Sequence, residues 1–464
     1  YGIYTLTLGF VGMLTFFTWS LSASTQRYIS VTLGEKDYGK LSRILSSSFI
    51  IHLIYGLIIV GVIEIISFYF VNDFLNIPAG RQDTIKYILS FVAGISFFNI
   101  IAIPFIGALR AAEDFFSISV IGVAESCLKL LMAFLLLVVP GDKLIIFSAL
   151  MFLVSCVIFA AYFFRVIRAK DSLFTGFSKP DMTLIKEMLA FISWTLLGAL
   201  AVMSRNQGVS VVLNIFFGVV TNAAYGISQQ VNNALNILSQ GVGGSMAPVL
   251  MKSAGEKNYD KMFYMMRSMA KMSFFSISIF SIPFFFEMPF ILKLWLKDVP
   301  ADSVVFSQWI IILVLAVILS SGMQNVFVAI GKVKTYNIYV SVFLILNLPI
   351  SYLMFKMGFA NYTIIVVGVV LELITLNIRL YLLKKFLNYD IRTYITELGQ
   401  ILLPTLIVSA ALYLLCLAGL PPLVKFILSF AISLIISPLV IYRYSLDAQQ
   451  KQYVMNIISK FKRK

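Results

Sequence analysis

The stretch YGISQQVNNALNILSQGVGGSMAPVLMKSAGEKNYDK, residues 225–261, decides the fold because the chain holds it twice. It opens on Tyr225, Gly226 and Ile227, runs through an amide-rich apolar segment and closes on Gly255, Glu256, Lys257, Asn258, Tyr259, Asp260 and Lys261. Residues 1–40 do the same, from Tyr1, Gly2 and Ile3 to Gly34, Glu35, Lys36, Asp37, Tyr38, Gly39 and Lys40. Five of the seven closing positions match, 221 positions apart (34 to 255). The spacing persists to within a residue, since Ile77, Pro78, Ala79 resembles Val299, Pro300, Ala301, and Arg110 falls opposite Lys332. Ordered matches at one spacing predict a duplicated unit.

The filling of each unit follows from composition. At 60% hydrophobic and 12% charged, the chain has about half the roughly 25% charge of a soluble domain, which excludes an ordinary soluble enzyme or nucleic-acid binder. Its apolar runs have the length of membrane-crossing helices; spanning strands would alternate and be about half as long. The expected class is an all-α polytopic membrane protein. Thirteen helices are read: Ile3 to Ser22, Phe49 to Phe70, Ile85 to Ile106, Ile118 to Val139, Leu144 to Ile167, Leu189 to Val212, Ala223 to Gly241, Met269 to Phe286, Gln308 to Ile330, Asn337 to Phe355, Thr363 to Tyr381, Ile401 to Leu417 and Leu423 to Tyr442.

The net charge of +15 is concentrated in alternate loops and in the tail (Arg443, Lys451, Lys460, Lys462, Arg463, Lys464). By the positive-inside rule, the tail and the loops around Lys36, Arg168, Lys257 and Lys385 face the cytoplasm. Thirteen helices ending inside begin outside. In the second unit, the helix from Leu189 precedes Tyr225, and nothing corresponds to it ahead of Tyr1. The expectation is therefore one further N-terminal helix, giving two parallel six-helix repeats and two C-terminal helices. The expected divisions are an N-terminal lobe at 1–167, a cytoplasmic linker at 168–188, a C-terminal lobe at 189–385, and two extra helices with a basic tail at 386–464.

Charge inside a helix marks where chemistry can sit, because it costs roughly 2.5–3.5 kcal/mol at the bilayer centre unless it meets a partner or water. Arg205, with Asn206 and Gln207 beside it, has no acid within a turn; it either lines a cavity or pairs with Glu125, Glu64 or Glu372. Lys129 either lines the cavity with Arg205 as a substrate-binding residue or is neutralised by Glu125, four residues before it, the spacing of a helical ion pair. Arg27, at the cytoplasmic end of the first helix, either enters the cavity or snorkels to the interface. Gln229, Asn233, Asn236 and Gln240 share a helical face that lipid would not tolerate, and Gln324 and Asn325 are candidates to complete it. Glu125 and Glu64 are the candidates for ion coupling. The three cysteines, Cys127, Cys156 and Cys416, read as small core residues without disulfide or metal role. His52, the one histidine, is placed near a helix end. No cofactor is implied, and no catalytic constellation is present.

The segments Ser24 to Tyr28 with Gly34 to Asp37, Trp194 to Phe217 with Asn206, Gln207, Gly208, and Ala223 to Pro248 with its amides and Met246, Ala247, Pro248 resemble the bacterial O-antigen and capsule flippases of the polysaccharide biosynthesis family. That family lies in the superfamily of multidrug and toxin extruders and lipid II flippases. The resemblance implies two six-helix lobes around a central cavity. It implies translocation of an undecaprenyl-diphosphate-linked oligosaccharide across the bacterial cytoplasmic membrane, by a monomer, among membrane lipids and beside polysaccharide polymerase machinery. The rivals are a cation-coupled multidrug exporter, a membrane glycan polymerase or acyltransferase, and a non-transporting scaffold.

Overall fold

The computed structural model describes residues 2–73, 82–168, 177–448 and 450–452. The repeat signature Ile77, Pro78, Ala79, the linker residues up to Gly176 and the end of the basic tail lie outside them. Among the described residues every regular element is an α-helix: α1 (Gly2–Glu35), α2 (Tyr38–Asp73), α3 (Gln82–Ala111), α4 (Phe115–Val138), α5 (Lys143–Ile167), α6 (Met182–Gly255), α7 (Tyr259–Trp295), α8 (Ser303–Leu319), α9 (Met323–Ala329), α10 (Val333–Lys356), α11 (Thr363–Leu387), α12 (Ile391–Leu417) and α13 (Pro422–Tyr444). Eleven of these stretches, with α8 and α9 taken together, are long and apolar enough to cross a membrane. The chain is a multi-pass membrane protein.

Two runs expected to be separate helices form the single stretch α6, and one expected run is split into α8 and α9. α6 is not straight. The Ser210 hydroxyl donates to Asn222 Oδ1 across 2.6 Å, whereas twelve residues of continuous helix would separate them by roughly 18 Å. The reversal lies at Gly218, whose φ of 80° and ψ of −172° belong to a region open essentially to glycine alone. α6 is thus a hairpin of two arms, 182–217 and 219–255. Its start at Met182 is seven residues earlier than the sequence suggests, because Asp181 caps the backbone N–H groups of Thr183 and Leu184.

The element order repeats. α2, α3, α4 and α5 have their counterparts in α7, α8 with α9, α10 and α11, and α1 has its counterpart in the second arm of α6. The duplicated closing motif builds the same turn in both copies. Lys36 (φ 58°) and Lys257 (φ 55°) occupy the left-handed region that ends a helix. Asp37 N–H then reaches back to Thr32 O, and Asn258 N–H to Ser253 O. The side chains of Asp37 and Asn258 start the next helix by accepting from the N–H of Lys40 and Lys261. Glu35 pairs with Lys40 at 3.1 Å and Glu256 with Lys261 at 3.5 Å. Each conserved spacing in the motif is one of these bonds.

The chain divides into two compact units. Unit 1 comprises Tyr1–Ala199, Ala247–Met262 and Val328–Lys334; unit 2 comprises Leu200–Met246, Phe263–Phe327 and Thr335–Lys464. In unit 1, Ile29, Leu33, Leu41, Ile44, Phe105 and Ile158 are buried in the core. In unit 2, Ile282 of α7 packs with Val408 and Leu412 of α12.

Two smaller expectations are corrected. His52 lies inside α2, fully buried, with Nδ1 2.7 Å from Ser48 O. The cysteines are not core residues: Cys127 is exposed and Cys156 and Cys416 are half-buried. A helix beside lipid is apolar all round, so an apolar run does not say which of its residues face the core.

Candidate functional site

A cavity of about 290 Å³ lies within unit 2, between both arms of α6 and α8 to α11. Arg205, on the first arm, and Glu372 and Arg379, on α11, line it. Glu372 and Arg379 are seven residues apart, two helical turns, and so share a face. Arg379 Nη1 donates to Glu372 Oε1 and to the Ser320 hydroxyl at 2.6 Å, and its Nε donates to Tyr336 OH at 3.1 Å. The carboxylate is 2% exposed and is satisfied chiefly from this side. Arg205 Nη1 stands 3.9 Å from the other carboxylate oxygen, beyond hydrogen-bond range, and its Nε reaches only Asn206 Oδ1 at 3.5 Å. Two guanidiniums share one carboxylate, so the cluster carries one net positive charge.

Amides surround the charge. Asn206 on the first arm, Gln229, Asn232 and Asn236 on the second, Gln324 on α9 and Asn347 on α10 line the cavity. Asn232 Nδ2 donates to Gln229 Oε1 at 2.9 Å, and Asn236 Nδ2 to Asn232 Oδ1 at 2.7 Å. The amide ladder is therefore internally bonded and held in one orientation.

The predicted residues divide. Arg205, Asn206, Gln229, Asn236 and Gln324 come together here. Gln207, Asn233 and Gln240 are exposed outside this lining, and Asn325 is half-buried without entering it. The stripe facing the cavity is 225, 229, 232, 236 instead of 229, 233, 236, 240. Amides cover most of the circumference of this arm, so periodicity permits either stripe, and packing selects one. Lys129 and Glu125 pair with each other at 2.6 Å and line a different cavity of about 400 Å³, between α3, α4 and α5 in unit 1. Glu64 is exposed on α2. Arg27 lies in unit 1, where its Nε donates to Val328 O and its guanidinium covers the rings of Tyr28 and Phe191, 4.6 and 5.1 Å from their centroids.

Arg379, Tyr336, Ser320 and Asn347 are not among the candidates the sequence offers. The seven-residue interval from Glu372 was the available signal for Arg379; Tyr336, Ser320 and Asn347 had none, being brought in from other helices.

No protein-family model and no curated protein matches the chain. Solved structures do. A MATE in the bent conformation superposes with a TM-score of 0.71 at 14% identity, covering 82% of this chain and 84% of that one. The chain has the fold of the MATE transporters. An outward-facing multidrug resistance MATE family transporter of the MOP superfamily gives a TM-score of 0.68 at 14% identity over 81% of this chain and 86% of that one. A MOP superfamily transporter from Pyrococcus furiosus, described as having a binding pocket of reverse polarity that suggests a different function, gives 0.68 at 14% over 80% and 85%.

Proposed function

We propose that the protein is a membrane exporter of an anionic amphiphile, a polyprenyl-diphosphate-linked oligosaccharide, carried across the bacterial cytoplasmic membrane by alternating access. The observation that carries this reading is the net positive charge of the unit 2 cavity, where Arg205 and Arg379 share the single carboxylate of Glu372 and Arg205 stands at the longer distance, 3.9 Å. The fold, shared with MOP superfamily transporters, supports export. Such a cargo presents two demands at once: a charged, hydrated head must cross about 30 Å of hydrocarbon while its tail stays in lipid. Arg205 would take a phosphate oxygen or an acidic sugar, and the amides would meet hydroxyls. Cavity size limits the contact. At about 290 Å³, near the lower end of ligand pockets of about 300–1,000 Å³, it accommodates a phosphate- or monosaccharide-sized group, so most of the glycan must lie elsewhere. Two negative charges moving outward gain about 2.3 kcal/mol each per 100 mV of inside-negative potential. On this reading the chain performs no covalent chemistry, and polysaccharide polymerase machinery would take its product.

The test is deletion of the gene followed by mass spectrometry of extracted lipids. Accumulation of a polyprenyl-diphosphate oligosaccharide, reversed by the intact gene and not by an Arg205→Ala copy, is expected. The second reading, a cation-coupled multidrug exporter using Glu125 or Glu64, is favoured by the likeness to a multidrug resistance MATE transporter. An unchanged lipid pool with new sensitivity to organic cations, abolished protection in Glu125→Gln and intact protection in Arg205→Ala would replace the first reading with this one.

A further inference from the structure

α7 carries two prolines, Pro283 and Pro289. A proline brings no N–H to its helix, so the carbonyl four residues before it loses its intrahelical donor. In hydrocarbon that carbonyl needs a donor from elsewhere. The carbonyls freed in α7 are those of Ile279 and Phe285, and each meets a side chain from a different helix. The Ser433 hydroxyl of α13 donates to Ile279 O at 2.6 Å, and Gln308 Nε2 of α8 donates to Phe285 O at 3.0 Å. α12 repeats the arrangement. Its Pro404 frees the carbonyl of Gln400, which accepts from the Ser445 hydroxyl, just past α13, at 2.6 Å. All of these residues lie within unit 2.

The counterpart of α7 in the first repeat is α2, which contains no proline. Among the described residues the first repeat also has no counterpart of α12 and α13. The broken helix and the helices that answer its breaks thus occur in the same repeat. α8 extends the arrangement to the cavity, because its Ile310, Leu313, Val314 and Val317 form part of the wall. Gln308 fastens the start of α8 to α7. The end of α8 is fastened by α12, whose Tyr394 hydroxyl donates to Leu319 O at 2.6 Å, one of the last carbonyls, which a helix cannot satisfy by itself. The next residue, Ser320, accepts from Arg379 of the charge cluster.

We propose that Gln308, Ser433 and Ser445 are positioning residues that act through the carbonyls the prolines leave free: by these bonds α12 and α13 hold α7, and α7 holds α8 in place at the wall of the unit 2 cavity. None of the three lines the cavity itself. A side chain that only fills space contributes the same whether residue 283 or 289 is proline or alanine. One that fills a proline gap contributes little once an alanine N–H restores the helical bond. The effect on cargo rests on the exporter reading; the bonds themselves are measurable without any cargo.

The test is a set of double-mutant cycles on the full chain in detergent, with the ratio of folded to unfolded protein read by denaturant titration. Gln308→Leu should lower that ratio about five- to thirtyfold, the loss expected when an acceptor is left without its donor. In a Pro289→Ala background the same change should lower it by less than about twofold. Pro289 is exposed, so this background removes little packing. Ser433→Ala should behave alike against Pro283→Ala, while Ser433→Thr, which keeps the hydroxyl, should hold the parent ratio. Equal losses from Gln308→Leu in the proline and alanine backgrounds overturn the proposal, and so does rescue of Gln308→Leu by Pro283→Ala, the wrong proline. In the lipid-accumulation assay, Gln308→Leu should slow clearance of the glycolipid, and Pro289→Ala should restore it. Export at the parent rate in Gln308→Leu overturns the link to the cavity. Closed cycles in a protein that moves no glycolipid and no organic cation keep the positioning bonds and remove the exporter reading.

Discussion

Arg205 and Arg379 stand on the same carboxylate and do different work. Arg379 is 8% exposed and spends its donors on Glu372, Ser320 and Tyr336. Removing it strands a buried charge, so Arg379→Ala should destabilise the protein by about 3–5 kcal/mol, read as a lower thermal midpoint in detergent. Arg379→Ala with Glu372→Gln should recover part of that loss. Arg205 holds Glu372 only at 3.9 Å. Arg205→Ala should change the midpoint much less while abolishing export in the lipid-accumulation assay. Equal thermal losses in both variants would assign Arg205 the same structural role as Arg379.

At the scale of elements, capping and turn chemistry set where each helix starts and stops. Asp114 starts α4 by accepting from the N–H and hydroxyl of Ser117 and pairing with Arg165. Partial burial pushes its carboxyl upward, but the Ser117 bonds and the Arg165 charge outweigh this and hold it below the ordinary carboxylate value. A carboxyl depressed in the folded state contributes stability that is complete above its unfolded pKa of about 4 and is lost as pH falls through the lower folded value. The stability difference between the parent and Asp114→Asn should therefore be constant at neutral pH and shrink below about pH 4. Gly218 tests the hairpin of α6. A Cβ there meets nothing within 4 Å, so Gly218→Ala adds backbone strain alone, about 1–3 kcal/mol, again read from the midpoint. The duplicated turns were legible in advance because Gly-Glu-Lys-Asp/Asn-Tyr codes for local bonds; the join of two expected helices into one hairpin was not, since Gly218 sits among apolar residues on both sides.

For the whole molecule, the C-terminal helices α12 and α13 are bound to α7 along its length. Arg267 pairs with Glu397 at 2.8 Å, and buried Lys271 donates to Gln400 Oε1 at 3.2 Å and Ser445 O at 3.0 Å. Further along, the Ser433 hydroxyl donates to Ile279 O at 2.6 Å and the Ser429 hydroxyl to buried Glu287 at 2.9 Å. Truncation after Asn388 should leave Lys271 and Glu287 facing lipid without these partners, at roughly 2.5–3.5 kcal/mol per charge at the bilayer centre. The truncated chain should fail to run as a single species on size exclusion, and Lys271→Met with Glu287→Met should restore it in part. If the truncated chain is monodisperse unaided, the two helices are dispensable to the fold.

Membrane class, helical content, the duplication and the positions of the intramembrane charges were determined by the sequence itself, because length, polarity and local hydrogen-bonding motifs are properties of consecutive residues. Arg205 was conspicuous for the same reason, as a charge with no acid on its own turn. The tertiary structure alone decided which acid it meets, which amide stripe turns inward, and that Lys129 and Arg27 sit in unit 1 while Arg205 sits in unit 2. Those depend on the rotation of each helix about its axis and on neighbours far along the chain. In a helix that is apolar nearly all round, periodicity leaves that rotation open, and packing fixes it.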